Sequence, residues 1–355
     1  MGHPATAELV LNEDPFTDGD QTLLLDFLFD HRADVIRDFL RERAQPVSGT
    51  KEQLRERVTG YIADGTVPLP HLVDLLDAVE GWGNQHVYLL KANANSPVLE
   101  EWADETRVRA ALRRQGLEPL LNRRRRLILP ATRQLVTVEW SARRVRFVWI
   151  ETRVWRERRP ELDKREDVSL RPDQYPGEQA GRVLMFDAYE AFRGRGIIAF
   201  ELDLVSGQAV LLIQQLPSGN DYVTVRETVL EQLQPMIDVR SFDPVRVSRS
   251  IVRLEALPGV RGRQIEHTTE RGSRINYLSC ERDADAFADP ALEQARRGAG
   301  ARVVGRMGNF YWQLPDAERE IHVKVYAPDQ RVGFFGECAE TEVRSVLRLV
   351  RQHSR

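Results

Sequence analysis

Apolar residues recur at three- and four-residue intervals over residues 22–116. This spacing places them on one face of each of several successive α-helices, and it predicts a small helical bundle. The helical pattern is interrupted at "QPVSGT", "ADGTVPLP" and "NANSP", where residues that favour turns are concentrated. Residues 1–20 have no such period and are predicted to form a loose lead-in.

The apolar period shortens to two from about residue 121, as in strands with one buried face. Two alternating sets flank the polar sequence "SARR" and predict a hairpin: Val136, Val138 and Trp140, then Val145, Phe147 and Trp149. Later hairpins are predicted to turn at Ser206-Gly207 and at Arg271-Gly272. Further strands are predicted at "ARVVGRMGNFYWQL", "EIHVKVYA" and "RVGFFGE".

Helical spacing returns at intervals within the strand-rich part. Helices are predicted over residues 222–236, in "DPALEQARRG" and in the closing "TEVRSVLRLVRQH". The polar segment near residues 156–181 is predicted to be a long loop. The pattern therefore predicts an α+β fold, in which a small N-terminal helical bundle precedes a mostly antiparallel sheet with flanking helices. The predicted divisions are the lead-in 1–20, a helical domain 21–120 and an α+β domain 121–355.

Composition narrows the class of protein. A chain of 355 residues, 42% hydrophobic and 30% charged, is typical of a soluble globular protein of about two domains. No apolar run approaches the roughly 18 residues of a membrane span, so no membrane partner is predicted. The predicted location is cytoplasmic, and nucleoid-associated if the chain is bacterial. Cys280 and Cys338 are too few for a disulfide framework, and no His or Cys residues have metal-ligand spacing. No metal or other cofactor is predicted.

The net charge of -3 averages over an uneven distribution. Residues 107–159 contain 16 arginines and 4 acidic residues. Four arginines form a run at the predicted domain junction, and three more lie in the first predicted hairpin: Arg123, Arg124, Arg125 and Arg126, then Arg143, Arg144 and Arg146. Because arginine binds phosphate through two parallel hydrogen bonds, these residues predict an interdomain surface for a nucleic-acid backbone. The alternative is a set of solvated charges.

The sequence "VSGTKEQL" predicts a helix N-terminus with an exposed positive end. Thr50 and Gln53 have the spacing of a capping box, and Gly49 gives the backbone freedom for a tight entry. The first turn of such a helix has unpaired N–H groups that attract phosphate. Three basic residues lie on or near it: Lys51, Arg55 and Arg57. The alternative is an ordinary capped surface helix.

Residues 36–58, "IRDFLRERAQPVSGTKEQLRERV", resemble a SAP motif, a short helix-bend-helix module that binds DNA. The resemblance is carried by Leu40, the bend "PVSGTK", Leu54, Arg57 and Val58. The chain departs from the family at Ala44 and Gln45, where Gly and an apolar residue are usual. The resemblance implies contact with the backbone and groove of duplex DNA through Gly49, Thr50, Lys51 and the helix that follows.

A longer stretch is similar in order to the centromere protein N family of kinetochore subunits. It comprises the helical start, "LPHLVDLLDAVEGWGNQHVYLLKA", a basic connection and the strand sequence "VRFVWIETRVW". The resemblance implies a helical domain packed on an α+β domain, with a basic surface across both that holds DNA beside a nucleosome.

Three further groups each have two interpretations. Trp140, Trp149 and Trp155 could stack on bases, but their alternation favours a place in the core. "EGWGNQHVYLL" could be a recognition loop, but Asn84 and His86 are more often partners of backbone groups at an interface. Glu201 and Asp203 could face a metal ion from one strand, but acids on an exposed face are commoner.

The sequence contains no GxxxxGK[ST], HExxH, GxSxG or CxxC motif. We therefore expect a non-enzymatic protein that binds DNA, with duplex favoured, through the SAP-like helix and the arginine-rich interdomain surface. Two alternatives remain open: a protein-interaction or assembly subunit with an unknown protein partner, and a divergent metal-dependent nuclease.

Overall fold

Four helices form the N-terminal part of the chain. They are α1 (Asp18–Asp30), α2 (Ala33–Arg41), α3 (Lys51–Ala63) and α4 (Leu69–Glu80). The computed structural model describes residues 16–94, 96–159, 164–168, 182–217, 220–279, 285–291, 294, 303–314 and 319–354. The helices enclose a shared apolar core at the positions that the helical period predicts, including Leu24, Leu28, Leu40, Leu54, Val58, Leu72 and Leu76. The predicted N-terminal helical region is therefore confirmed.

Helix α1 begins earlier than predicted. Thr17 caps it, and a capping box with Asp20 fixes its first turn. The predicted lead-in over residues 1–20 is wrong for its last three residues, which are helical, and residues 1–15 lie outside the described part.

The predicted helical pattern over residues 22–116 is wrong in its middle. Residues Gln85–Ala92 form strand β1, and helices resume as α5 (Val98–Ala103) and α6 (Glu105–Arg114). Residues 85–89 are all buried. A strand covered on both faces carries a continuous apolar run rather than alternation, so its period cannot be distinguished from that of a buried helix.

The central feature is an antiparallel sheet of eleven strands among the described residues. Besides β1 its strands are β2 (Gln134–Ser141), β3 (Arg144–Arg158), β6 (Tyr189–Asp203), β7 (Gln208–Gln214), β8 (Phe242–Pro244), β9 (Val260–Thr268), β10 (Arg274–Leu278), β11 (Val304–Gln313), β12 (Glu320–Tyr326) and β13 (Arg331–Phe334). Their order is β10-β9-β11-β12-β13-β1-β7-β6-β3-β2, and β8 also pairs with β1. The α+β class is confirmed.

The predicted hairpins are present. Strands β2 and β3 pair across "SARR", β6 and β7 turn at Ser206-Gly207, and β9 and β10 turn around Gly272. Gly207 and Gly272 have φ of 68° and 81°, in the left-handed region that glycine adopts without strain. The strands predicted in the last third of the chain are also present.

The predicted loop near residues 156–181 is wrong over part of its length. Strand β3 continues to Arg158, and β4 (Lys164–Val168) pairs with β5 (Arg182–Phe186). Strands β3 and β6 stay paired out to Arg158 and Tyr189. The last residues of β3, Arg156, Glu157 and Arg158, are all exposed. Because neither face of the strand is buried there, the sequence does not alternate between apolar and polar residues. The rest of the segment lies outside the described residues.

Helices cover both faces of the sheet. Helices α8 (Ser248–Leu254) and α9 (Glu340–Ser354) contribute to one apolar core. Helices α5, α6 and α7 (Tyr222–Leu233) contribute to a second core on the other face. The helix predicted over residues 222–236 is confirmed with its end at Leu233, and the closing helix is confirmed as α9. The helix predicted in "DPALEQARRG" lies largely outside the described residues. No helix in the described part is long and apolar enough to cross a bilayer.

Candidate nucleic-acid interface

The bend between α2 and α3 begins with a left-handed residue. Ala44 has φ of 55°, and the N–H groups of Ala44 and Gln45 donate to the carbonyls of Arg41 and Leu40 at 3.0 and 2.9 Å. These two bonds close α2 in a Schellman motif, whose left-handed position is usually glycine. The departure from the SAP family at Ala44 therefore falls on the residue with the least favourable backbone angle in the bend.

Helix α3 begins as predicted. The Gln53 N–H donates to Thr50 Oγ1 at 3.3 Å, and the Thr50 N–H donates to Gln53 Oε1 at 2.9 Å, so the capping box is confirmed. Gly49 has φ of 120°, and a Cβ there would lie 2.8 Å from Gln53 Oε1. Both the angle and the space at this position require glycine.

Two arginine side chains donate hydrogen bonds to the backbone carbonyl groups of the bend. Arg57 Nη1 donates to the carbonyl oxygens of Pro46 and Ser48 at 2.9 and 3.0 Å. Arg37 Nη2 donates to the carbonyl oxygen of Gly49 at 3.1 Å. The Arg57 guanidinium, predicted to contact DNA, is thus engaged with the backbone of the bend, and these three bonds order the loop that leads into α3.

The charges around the start of α3 are only partly paired. Arg55 forms an ion pair with Asp26 on α1, whereas Lys51 has no ion-pair partner among the described residues. The pKa of the exposed Glu52 carboxyl is lowered, chiefly by a hydrogen bond from its own backbone N–H and then by the Thr50 side chain. The helix N-terminus therefore attracts negative charge, as the dipole of a helix predicts.

The arginine run mostly contacts groups within the chain. Arg124 pairs with Asp77 at 2.5 Å, and Arg126 pairs with Asp74 at 3.1 Å. Arg125 donates to Gln134 at 3.0 Å, while Arg123 is exposed with no side-chain partner among the described residues. Because Asp74 and Asp77 both lie on α4, the run links the helical bundle to the segment that enters β2.

The arginines of the first hairpin differ in their surroundings. Arg143 is exposed in the turn and has no ion-pair partner in the described part of the chain. Arg144 lies 3.8 Å from the carboxylates of Glu201 and Glu340.

Arg146 is more enclosed than Arg143 and Arg144. Its side chain is 13% exposed, and its nearest carboxylate, Glu139, is 3.6 Å away. Its guanidinium lies 5.0 Å from the ring centroid of Trp82, and burial lowers its pKa. Arg146 and Arg124 line one cavity of about 310 Å³ between α4 and the sheet. The structure thus brings these two predicted residues together, but inside the junction.

A buried network at the same junction has no signal in the sequence. Arg195 on β6 forms ion pairs with Asp77 and Glu80 on α4, and its side chain is 0% exposed. Burial, assisted by the Asp77 carboxylate and opposed by Arg195, raises the pKa of Glu80 to about 7. Nothing in the alternating pattern of β6 distinguishes Arg195 from a solvated arginine, so sequence reasoning missed it.

The three tryptophans differ in their surroundings, and the core interpretation does not hold for Trp155. Trp149 is buried, 3% exposed, and packs with Phe147, which confirms the core interpretation. The indole N–H of Trp140 donates to the carbonyl oxygen of Trp102 at 2.7 Å. Trp155 is half-buried and stacks on Phe192.

Asn84 and His86 have structural surroundings. Asn84 Oδ1 accepts from the N–H of Gly336, which confirms the structural interpretation for this residue. His86 lies in β1 and is 4% exposed; its ring centroid lies 4.1 Å from that of Tyr222. Its Nδ1 has no hydrogen-bond partner among the described residues, so the expectation that it satisfies a backbone group is wrong there. Burial, together with the charges of Arg331 and Lys324, lowers the pKa of His86 to about 3.

Glu201 and Asp203 are each engaged with protein groups. Arg344 donates to both oxygens of Glu201 at 2.7 and 2.9 Å, and Glu201 is 5% exposed, so the expectation of an exposed acid is wrong there. Asp203 accepts from the N–H groups of Val205 and Ser206 at the β6–β7 turn. Among the described residues, no three His, Cys, Asp or Glu side chains are grouped so that they could hold a metal ion.

The fold and this interface define an α+β protein with a helical N-terminal region and an ordered, partly basic bend. No model of a known protein family and no curated protein matches the chain. The two family resemblances seen in the sequence stay predictions.

Proposed function

We propose that the chain is a non-enzymatic protein that binds the backbone of duplex DNA, with contact centred on the bend and the first turn of α3. One observation carries the proposal. Gly49 and Thr50 are exposed and Lys51 is half-buried at the start of a 13-residue helix. Arg37 and Arg57 hold the entry to this helix.

The order of the bend supports phosphate binding. A loop that is already fixed loses little conformational entropy when it meets a ligand, so more of the interaction energy appears as affinity. The Thr50 side chain accepts from the Gln53 N–H, and the Glu52 carboxylate interacts with its own N–H, so the Lys51 N–H is the group left at the positive helix end. Lys51 adds a positive charge there and has no ion pair among the described residues, although the neighbouring Glu52 carboxylate interacts with it at longer range.

The arginine-rich connection contributes less than the sequence predicts. Arg123 and Arg143 are exposed and are the members best placed for a second backbone contact. Arg124 and Arg126 already pair with acids of α4. Contacts of this kind read charge and geometry rather than bases, so we expect affinity with little sequence preference.

The test is a titration of the full chain against a fluorescent 20-base-pair duplex at several salt concentrations. Lys51→Glu should weaken binding roughly tenfold at low salt and make the salt slope shallower by about one, because one phosphate contact is lost. The matched control is Lys91→Glu, since Lys91 is an exposed lysine on β1. Equal effects of the two changes, or no wild-type binding below about 100 μM at low salt, would overturn the proposal.

A second candidate is a protein-interaction subunit whose charges are paired internally. The pairing of Arg55, Arg124, Arg126 and Arg144 with carboxylates favours it. This candidate is the better one if duplex DNA, single-stranded DNA and RNA all fail to bind.

The third alternative, a metal-dependent nuclease, is tested by incubation of DNA with the protein and magnesium or manganese. Intact DNA is expected. Cleavage that is lost in Glu201→Ala would establish a nuclease.

A further inference from the structure

A second cavity lies beneath α7, on the sheet face opposite α8 and α9, and no residue of the bend contributes to it. Its volume is about 250 Å³. Most of its wall is apolar and comes from the central strands, from α7 and from the segment around β8, with Leu90, Phe200, Leu211, Leu230 and Phe242 among the lining residues. Apolar cavities with a few convergent polar groups are the usual form of small-molecule sites.

One buried polar group in this wall has no partner among the described residues. Tyr88 is 2% exposed, and no described residue forms a hydrogen bond with its hydroxyl. A buried hydroxyl without a partner costs on the order of 1–3 kcal/mol, so such groups are rare in folded proteins. Burial raises the pKa of Tyr88 to about 12, which keeps the hydroxyl neutral and able to donate.

A cation lies over the ring of Tyr88. Arg226 on α7 lines the cavity, and its guanidinium lies 5.2 Å from the ring centroid of Tyr88. Its carboxylate neighbour is the adjacent Glu227 at 3.5 Å, whose side chain is 62% exposed and therefore well hydrated. Asp329, also in the wall, is paired with Arg331 at 3.1 Å. The cavity thus combines an apolar body with one hydroxyl donor and one weakly paired cation.

We propose that this cavity binds a small amphipathic monoanion: an apolar chain or ring with one carboxylate, which accepts a hydrogen bond from Tyr88 and pairs with Arg226. The volume suits a short apolar chain of about eight carbon atoms, if each takes roughly the 30 Å³ of a water molecule. The carboxylates of Glu227 and Asp329 in the wall disfavour ligands of higher negative charge. The inference does not depend on DNA binding.

The test is isothermal titration of the full chain with octanoate, and with 1-octanol as the uncharged analogue. Octanoate should bind with a Kd on the order of 0.1–1 mM, as expected for a ligand of this size, and octanol at least tenfold more weakly. Tyr88→Phe should weaken octanoate binding about five- to tenfold, and Arg226→Gln about tenfold. Leu230→Trp should abolish binding, because Leu230 is a half-buried residue of α7 whose larger replacement fills the cavity.

The matched control is Arg43→Gln. Arg43 is exposed to the same degree as Arg226, 33% against 30%, and its guanidinium also lies over an aromatic ring, that of Phe39. It should bind octanoate as the wild type does. Absence of saturable binding up to about 10 mM, equal affinity for octanol, or unchanged affinity in Tyr88→Phe would each overturn the proposal. If Leu230→Trp fails to fold, Tyr88→Phe still decides the question, since it removes only one oxygen atom.

Discussion

Ala44 is the residue at which the bend departs most from favourable backbone geometry. Its φ of 55° places the backbone in the left-handed region. There the Cβ of an L-residue approaches the following carbonyl oxygen, which costs roughly 1–2 kcal/mol. Glycine avoids that strain but has a more flexible unfolded chain, so the net gain is smaller.

Ala44→Gly should therefore raise the free energy of unfolding by about 0.5–1 kcal/mol, measured by urea denaturation. Gly49→Ala should have the opposite effect, because its φ of 120° and its contact with Gln53 both exclude a Cβ. A destabilised Ala44→Gly variant would show that this bend does not obey the glycine preference of a Schellman motif.

Glu52 gives a second prediction at this scale, which rests on the proposed DNA contact. Its carboxylate already interacts with the first turn of α3, where a phosphate would bind. Glu52→Gln should strengthen duplex binding about three- to fivefold at low salt, because a repelling charge is removed. Glu56→Gln, one turn further along the same exposed helix, should change the affinity less. The comparison is made by fluorescence polarisation, and weaker binding by Glu52→Gln would place the phosphate elsewhere.

The start of α3 could be predicted from the sequence because capping is local. Thr50 and Gln53 contact each other three residues apart, so their spacing alone indicates the geometry. The role of Arg57 could not be predicted in this way. Its partners are carbonyl oxygens of Pro46 and Ser48, and a sequence does not show where carbonyls point.

Strand β1 shows the same limit for a whole element. Its flanks bear the Gly and Asn residues of an ordinary helix end, and its apolar run has no period of two. What makes it a strand is the pair of neighbours, β7 and β13, that cover its edges. Those contacts join distant parts of the chain, so no local pattern contains them.

His86 on β1 predicts how stability changes in acid. Its folded pKa of about 3 lies below the ordinary value of 6.5, so the unfolded chain binds a proton first as the pH falls. The resulting stability is present above pH 6.5 and is lost as the pH falls toward 3. His86→Phe keeps an aromatic ring beside Tyr222 and Phe335 and removes this loss.

The measurement is urea unfolding of the wild type and His86→Phe at pH 7 and pH 4.5. The wild type should lose up to about 2–3 kcal/mol more than the variant between these values. An equal loss in both proteins would assign the acid sensitivity to other groups.

The arginine run was predicted as a DNA surface, and its ion pairs with α4 predict a different effect of mutation. Arg124→Gln should lower the free energy of unfolding by about 1–3 kcal/mol, because it removes a partner of the buried Asp77 carboxylate. Arg123→Gln, the exposed neighbour, should change stability by less than about 0.5 kcal/mol. Urea denaturation separates the two, and equal small effects would mean that Asp77 is held by Arg195 alone.

At the scale of the whole molecule, Glu80 couples the helical region to the sheet. Its folded pKa of about 7 lies above the ordinary 4.5, so the folded state holds a proton that the unfolded chain has released. This contribution to stability is present below pH 4.5 and is lost as the pH rises through 7, the reverse of the effect of His86.

Glu80→Gln should consequently flatten the decline in stability between pH 5 and pH 8, by an amount on the order of 1–3 kcal/mol. The check is thermal and urea unfolding across that range beside Glu56→Gln, in which an exposed carboxylate is replaced. Parallel curves for wild type and Glu80→Gln would show that Glu80 is ionised throughout.

The α+β class could be predicted because the change from a helical to a strand period depends only on which face of each element is buried. The order of the strands could not. Alternation indicates that Val145 and Phe147 share a face, but not that β3 lies between β2 and β6. Arg195 and Asp77 are an example. Their ion pair forms only because the topology brings β6 next to α4, so the sequence alone does not show that the two residues are partners.

The position of β1 has a consequence for how the protein is made. One edge of β1 pairs with β7. The other pairs with β8 at residues 90–92 and with β13, a much later strand, at residues 85–88. While the ribosome is still synthesising the last strands, the nascent chain therefore carries an open, apolar strand edge at what becomes the middle of its sheet. Such edges pair readily with other chains, and contacts of high sequence separation form slowly. A chain whose synthesis ends shortly before β13 would leave this edge of the central strand β1 open.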